Sequence, residues 1–444
     1  YRYLLARRTA LDGSLPRRTT EVKRPLTLPA DGPFEELASG SGSQAVSTTM
    51  AFTRLLRNLL RDESFGPRVV PIIPDEARTF GMDALFREFN IYAAQGQLYD
   101  PVDANLLLSY AEARTGQILE EGITEAGCAA SFTAAGTAYA TRGVPMVPFF
   151  TFYSMFGFQR VGDLLWAAAD ARTRGFLMAA TAGRTTLLGE GLQHQDGHSL
   201  LLASTVPTCR AYDPAFAYEM AVIIREGIRA MYERNEDVYY YLTLYNENYE
   251  MPAAPDGVTD GLLAGLYRWA PAPEGLPDGA PSASIVFSGT AHRAARDAQH
   301  ELAEHHGVAA DLWSATSYKA LREEAMSVER WNRLHPGAEP RTPYVSRVLA
   351  EGAGPVVAVS DFMRAVPDQV ARWVPRPYCS LGTDGFGRSD TREQLRSYFE
   401  VDAGHLVAAV LSALADAGEV PIKAVGEAIA RYDLDPDRPD PWHE

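Results

Sequence analysis

The sequence predicts an α/β protein made of two parallel-sheet-rich domains, and three observations predict it. Short apolar runs rich in Val, Ile, Phe, Tyr and Thr recur without the polar alternation of a half-exposed strand. Helical patterns separate these runs. A stretch crowded with Pro and Gly, 251–282, divides the series in two. Continuous apolar strands belong to sheets covered on both faces, and strands alternating with helices of this length build parallel sheets.

Taken in order, residues 1–24 read as a solvated connecting segment, with arginine pairs at 7–8 and 17–18 and Lys23–Arg24. The first domain, 25–254, has strands expected at 68–74, 144–152, 175–181, 202–209 and 238–244. Helices are expected between them at 47–61, 125–141, 157–172 and 214–233. The helix at 125–141 is rich in Ala and Gly and is suited to very close packing. Residues 251–282 read as a linker or boundary. The smaller second domain, 255–444, has strands expected at 283–289, 307–316 and 354–361 and helices at 291–306 and 402–416.

Totals narrow the function. A chain of 444 residues, 46% hydrophobic and 22% charged, has the balance of a globular enzyme with a sizeable core. Its formal charge of −16 argues against nucleic acid and anionic membranes as partners. No run of 18 apolar residues suggests a membrane span, and no signal peptide opens the chain. Cys128, Cys209 and Cys379 are too few and too scattered for a disulfide framework, which favours a reducing, cytoplasmic setting.

Four stretches carry residues able to do chemistry. In "EEGITEAGCAASF", Glu125 stands at the start of the small-residue helix. It either offsets the helix dipole or is a partly buried carboxylate of raised pKa that holds or passes a proton. "GEGLQHQDGHS" gathers His194, Asp196 and His198. Metal binding at this H-x-x-x-H spacing requires a helix, and the glycines argue for a loop, which leaves an active-site histidine or ordinary loop histidines. "TFYSMFGF" puts aromatics directly after a strand, as core or as the wall of a flat-ring pocket. "PDEARTFGM" places Asp75 and Glu76 just past another strand, as loop charges or as pocket acids.

Longer motifs go further. "VPIIPDEARTFGMDALFRE", "GQILEEGITEAG", "FYSMFGFQRVGDLLWAA", "GRTTLLGEGLQHQDGHS", "YYYLTLYNENYEMP", "ERWNRLHP" and "GTDGFGRSDTREQLRSYFEVD" closely resemble the thiamine-diphosphate-dependent pyruvate dehydrogenase component of the homodimeric bacterial type. The resemblance spans the chain but only the C-terminal half of the family's protein. It implies a transketolase-like pyrimidine-binding domain followed by the family's C-terminal domain. In that family a G-D-G motif and a downstream asparagine hold magnesium and the diphosphate. No G-D-G occurs here, so no metal ligands are expected in this chain. The chain is expected to be a fragment or one subunit of a split enzyme, inactive without the other half.

By the resemblance, Glu125 matches the glutamate that shares a proton with a ring nitrogen of the cofactor's aminopyrimidine. That favours the imino form, which takes the proton from the thiazolium carbon before this carbon attacks pyruvate. Tyr153 and Phe156 match aromatics near the aminopyrimidine, Asp75 and Glu76 match pocket acids, and His194 matches a histidine beside the substrate. Glu190 is a weaker catalytic candidate. The implied reaction is oxidative decarboxylation of pyruvate with acetyl transfer to the lipoyl domain of dihydrolipoamide acetyltransferase, by a homodimer. A different transketolase-like enzyme and a catalytically incomplete assembly subunit are the alternatives. Residues 93–105, polar and lying between the Asp75 loop and Glu125, are expected to form a mobile flap.

Overall fold

Runs of apolar residues become strands here wherever both faces can be covered. The computed structural model describes residues 1–10, 22, 24–75, 77–100, 110–188 and 191–443. In the first unit, six strands form one sheet: β1 (Val69–Ile73), β2 (Leu119–Glu120), β3 (Val147–Tyr153), β4 (Gly175–Ala180), β5 (Cys209–Tyr212) and β6 (Tyr239–Thr243). Their spatial order is β2-β1-β3-β4-β6-β5, and every pairing is parallel.

β3 explains the missing alternation. Phe149 points to one face, stacked on Phe176 at 4.7 Å and 5.9 Å from Phe52 of α1 (Thr48–Arg61). Phe150 and Phe152 belong to the opposite face, where Phe132 of α2 (Glu125–Gly136) lies 6.4 Å from Phe150. Both faces are therefore apolar, and each buried ring contributes about 2–3 kcal/mol. The small residues of α2 permit the close packing. A Cβ on its Gly136 would stand 2.4 Å from the Arg174 carbonyl oxygen. α3 (Phe158–Asp170) packs beside α2, and α4 (Ala217–Ile228) lies on the face that α1 covers.

The second unit is a mixed sheet of β7 (Tyr267–Ala270), β8 (Ser282–Phe287), β9 (Ala309–Ser314), β10 (Val356–Val359) and β11 (Tyr378–Leu381), ordered β7-β9-β8-β10-β11. Only β7 runs antiparallel. α5 (His292–His306), α6 (Tyr318–Leu334) and α7 (Ala403–Asp416) accompany it. Residues 392–416 are apolar and long enough for a membrane span, yet they form two helices, Arg392–Tyr398 and α7. Asp402 caps α7 through the His405 amide, and Leu406, Val407, Val410, Leu411 and Leu414 are buried in the core.

Two expectations need correction. The strand expected at 202–209 is instead a helix, Ser199–Ala203, followed by a turn, and the strand starts at Cys209. Pro207 has no N–H for a ladder, and the Asp196 carboxylate accepts the amides of His198 and Ser199, which starts the helix. The stretch 251–282 is only partly a linker: it contains the helix Thr259–Ala264 and the edge strand β7. Gly265, at φ 107°, makes that turn possible, because a Cβ there would meet the Ser317 carbonyl oxygen at 2.5 Å.

The two units meet edge to edge. At the C-terminal end of β9, the Ser314 hydroxyl donates to Glu219, the Thr316 carbonyl accepts the Asp213 amide at 2.7 Å, and the Ser317 hydroxyl donates to the Ala211 carbonyl. Past β10, Asp361 accepts the Thr185 amide at 3.0 Å. Past β11, the Thr383 carbonyl accepts from the Arg184 guanidinium. Gly183, at φ 83°, is required at this contact, since a Cβ would lie 2.1 Å from an Asp361 carboxylate oxygen.

Candidate active site

The remaining C-terminal ends of the first sheet point elsewhere, and the candidate residues collect there. Thr124 caps α2 by accepting the Gly127 amide at 3.1 Å, which fixes Glu125 as the first residue of the helix. Glu125 is only 5% exposed. Its carboxylate takes a 3.0 Å bond from the Arg160 guanidinium of α3, which is about half exposed, at 48%. The same guanidinium lies 3.9 Å over the ring of Phe156. A planar cation therefore spans the carboxylate and an aromatic face.

Phe156 belongs to a 3-10 turn, Ser154–Phe156, directly after β3. Its ring is 5.8 Å from Tyr153 and 5.5 Å from His194, and Tyr153 and His194 are 4.9 Å apart. Phe80, on the loop after β1, meets Tyr153 edge-on at 5.2 Å. Glu125, Tyr153, Phe156 and His194 are thus joined by ring and charge contacts, with Arg160 between Glu125 and Phe156, although they come from three separate stretches of chain. Asp75 follows β1 on the loop that carries Phe80. Glu76 and Glu190 lie outside the described residues, as do residues 101–105 of the expected flap.

His194 ends a short 3-10 turn, Leu192–His194, and His198 precedes the helix Ser199–Ala203. The i, i+4 helical geometry required for metal binding is therefore not present. Among the described residues no group of three His, Cys, Asp or Glu side chains is placed to hold a metal. Asp196 is instead a buried hub. It accepts from the Ser154 and Ser199 hydroxyls, from Gln159 Nε2 at 2.7 Å, and from the amides of His198 and Ser199 at 3.0 Å. Through Ser154 and Gln159 it ties the loop after His194 to the turn that carries Phe156 and to α3.

Sequence reasoning missed two further groups. Arg160 was invisible as a partner of Glu125. Glu120, the last residue of β2, has its carboxyl pushed up to about 7, first by burial and then by the charges of Asp75 and Glu112. One of its buried oxygens has no hydrogen-bond partner among the described residues. Burial and the neighbouring charge thus favour the protonated form of this carboxyl. Its place in "ILEEG", after an apolar run that ends a strand, was the available signal.

Comparison with known proteins gives the family and the fold. Residues 28–252 match the family model of the pyruvate dehydrogenase E1 component middle domain, and residues 265–402 match that of the transketolase-like C-terminal domain. Relatives named pyruvate dehydrogenase E1 component include those of Mycolicibacterium smegmatis, 55% identical over 98% of this chain, and Pseudomonas aeruginosa, 51% identical over 99%. The chain covers 46% and 50% of those two proteins, so it spans about half the length of the relatives it matches. In structure it resembles the transketolase of Campylobacter jejuni, with a TM-score of 0.60 at 16% identity over 85% of this chain and 49% of that one. It also resembles a split-gene transketolase described as an inactive β4 tetramer, with a TM-score of 0.52 at 17% identity, covering 83% of this chain and 98% of that one. At these identities the two structures show the fold.

Proposed function

The chain belongs to the pyruvate dehydrogenase E1 component family, and from that premise we propose that it supplies the pyrimidine-side half of a thiamine-diphosphate site. The assembled enzyme oxidatively decarboxylates pyruvate and passes the acetyl group to the lipoyl domain of dihydrolipoamide acetyltransferase. One observation carries this reading. A buried carboxylate at a helix start, two aromatic rings and an imidazole meet at the C-terminal edge of one parallel sheet, where such sheets bind ligands.

The residues fit one end of the cofactor and not the other. The faces of Tyr153 and Phe156 suit a flat aminopyrimidine, and the Glu125 carboxylate, now occupied by a planar N–H donor, suits a ring nitrogen. No described cluster suits the diphosphate and its magnesium, and the sequence has no G-D-G. Those ligands belong to the other half of the site, in the same polypeptide or in a second subunit. When bound, thiamine diphosphate supplies the carbon nucleophile that adds to the 2-oxo carbon of pyruvate. Glu125 holds the proton at the ring nitrogen, and Tyr153 and Phe156 fix the ring and exclude water from it. His194 exchanges a proton at the substrate oxygen. Asp75 stands near Glu120, and by the resemblance Glu76 is a second pocket acid and Glu190 a further catalytic candidate. We assign 25–254 to the pyrimidine-binding domain, 255–444 to the C-terminal domain, a homodimeric assembly and a cytoplasmic setting.

A second reading is favoured by the 98% coverage of a split-gene transketolase chain: a separately encoded half, silent until its partner joins. One experiment tests both. The chain is mixed with a protein carrying the family's diphosphate-binding half, and pyruvate-dependent CO2 release and lipoyl acetylation are followed. Activity in the mixture, with none in the chain alone, is expected. Turnover of sugar phosphates but not of pyruvate would refute the pyruvate assignment.

A further inference from the structure

The described flanks of the loop that leaves β4 touch both the buried junction and the candidate site. At its start, Thr185 donates to Asp361, Arg184 to the Thr383 carbonyl, and Arg392 Nε to the Thr186 carbonyl at 2.7 Å. At its end, the Met363 amide donates to the Gly197 carbonyl at 2.8 Å. All four partners belong to the second unit. Residues 189 and 190 are outside the described part, so only these two flanks are used.

The contact that decides the matter lies beside the imidazole. Gln195 follows His194 directly and is 2% exposed. Its side-chain oxygen accepts the backbone amide of Arg388 at 2.7 Å. The approach is tight: a Cβ on Gly387 would stand 2.7 Å from that oxygen and 3.3 Å from the Leu192 carbonyl oxygen. On the other side, Asp196 is bound to Ser154 and Gln159 of the first unit. Successive residues therefore attach the His194 turn to the two units in opposite directions. The imidazole packs against the Tyr153 and Phe156 rings, and the short turn that carries it is held on either side by these two anchors.

We infer that Gln195 is a positioning residue for His194, and that the second unit takes part in the reaction by gripping it through the backbone at 387–388. This rests on the assignment of His194 as the substrate-side acid–base group. A misplacement of order 1 Å at such a group loses up to about a hundredfold in rate. The loss falls on kcat, because Gln195 contributes no binding surface to the substrate.

Two variants test it, one on each side of the contact: Gln195→Ala removes the acceptor, and Gly387→Ala pushes the backbone away from it. In the active assembly each should lower kcat for pyruvate about tenfold or more, with KM for pyruvate little changed. In the chain alone, each should speed amide hydrogen exchange at 191–198 and leave β3 and β4 protected. Wild-type kcat in both variants would overturn the inference. So would exchange that rises throughout the first sheet, which marks a general loss of stability. If the wild-type assembly does not turn over pyruvate, the proposed function fails, and local exchange at 191–198 still decides whether the second unit holds the turn.

Discussion

The C-terminal edges of the two sheets present the same kinds of group and use them differently. At the ends of β2 and β3 of the first sheet, Tyr153 meets Phe156, and a half-exposed arginine spans Phe156 and Glu125. At the ends of β9, β10 and β11 of the second sheet, Ser314, Thr316, Ser317, Asp361 and Thr383 are buried against the first unit. A parallel sheet leaves unpaired loop amides and polar side chains at this edge. In one unit they are available for chemistry, and in the other they are satisfied by a neighbour. The first sheet is itself divided. β5 and β6 join the junction through Asp213, which accepts from Thr243 and Tyr245 and has its carboxyl held up by burial.

The largest effect expected from this division is on the open edge. Glu125→Gln keeps shape and hydrogen bonding but cannot share a proton, and should lower turnover of the assembled enzyme about 10²–10⁴-fold. Urea unfolding of the variant chain should match that of the parent. If turnover survives, the open edge is not where the chemistry is done. If stability collapses instead, Glu125 belongs with the buried polar groups of the junction.

The next effect is on the closed edge. Burial pushes the Asp361 carboxyl up from 3.8 to about 7, against the opposing pull of Arg396 and the Thr185 amide. The native state therefore holds a proton there that the unfolded state has lost between pH about 4 and about 7. Stability contributed by this group is full below about pH 4 and falls as pH rises through about 7, with a ceiling of about 4 kcal/mol. Asp361→Asn should remove that slope, which is measured as the difference between wild type and variant in urea unfolding at pH 5 and pH 8. Equal slopes would mean that the junction carboxyl is already ionised, and that the closed edge is wetter than its burial indicates.

The sequence revealed these edges unevenly. β1, β3 and β6 were visible because a strand buried on both faces is a continuous apolar run. β2 was not, being two residues long with one of them charged, and β7 was hidden among prolines and glycines that read as linker. α6 was missed because its charged face outweighs the narrow stripe of Tyr318, Leu321 and Ala325 that it buries. At the site, Glu125 was legible because "TEAG" is a local helix-start signal. Arg160, 35 residues away, was not, since nothing local couples the two. Asp196 was seen but grouped with its flanking histidines as a possible metal cluster. Its actual role depends on Ser154, 42 residues earlier, and only the fold brings them together.

The smallest effect separates two arginines that look alike on paper. Arg396, from the helix after β11, reaches the buried Glu247 past β6, and Arg293 bonds the same carboxylate from solvent. Burial raises the Glu247 carboxyl, yet Arg396 and then Arg293 outweigh it, and the net shift is downward. Arg396→Met would leave that carboxylate buried with one half-exposed partner, and should destabilise the chain by about 3 kcal/mol. Arg160 also pairs with a buried glutamate, Glu125, but from the open edge, and the positive N-terminal end of α2 faces the same carboxylate. Arg160→Met should therefore cost only about 1 kcal/mol or less, the amount usual for a pair with one solvated partner. Urea unfolding of the two variants side by side measures the contrast. If they lose equal stability, the edge that bears Glu125 is as closed as the junction, and the division between a chemical edge and a structural one does not hold.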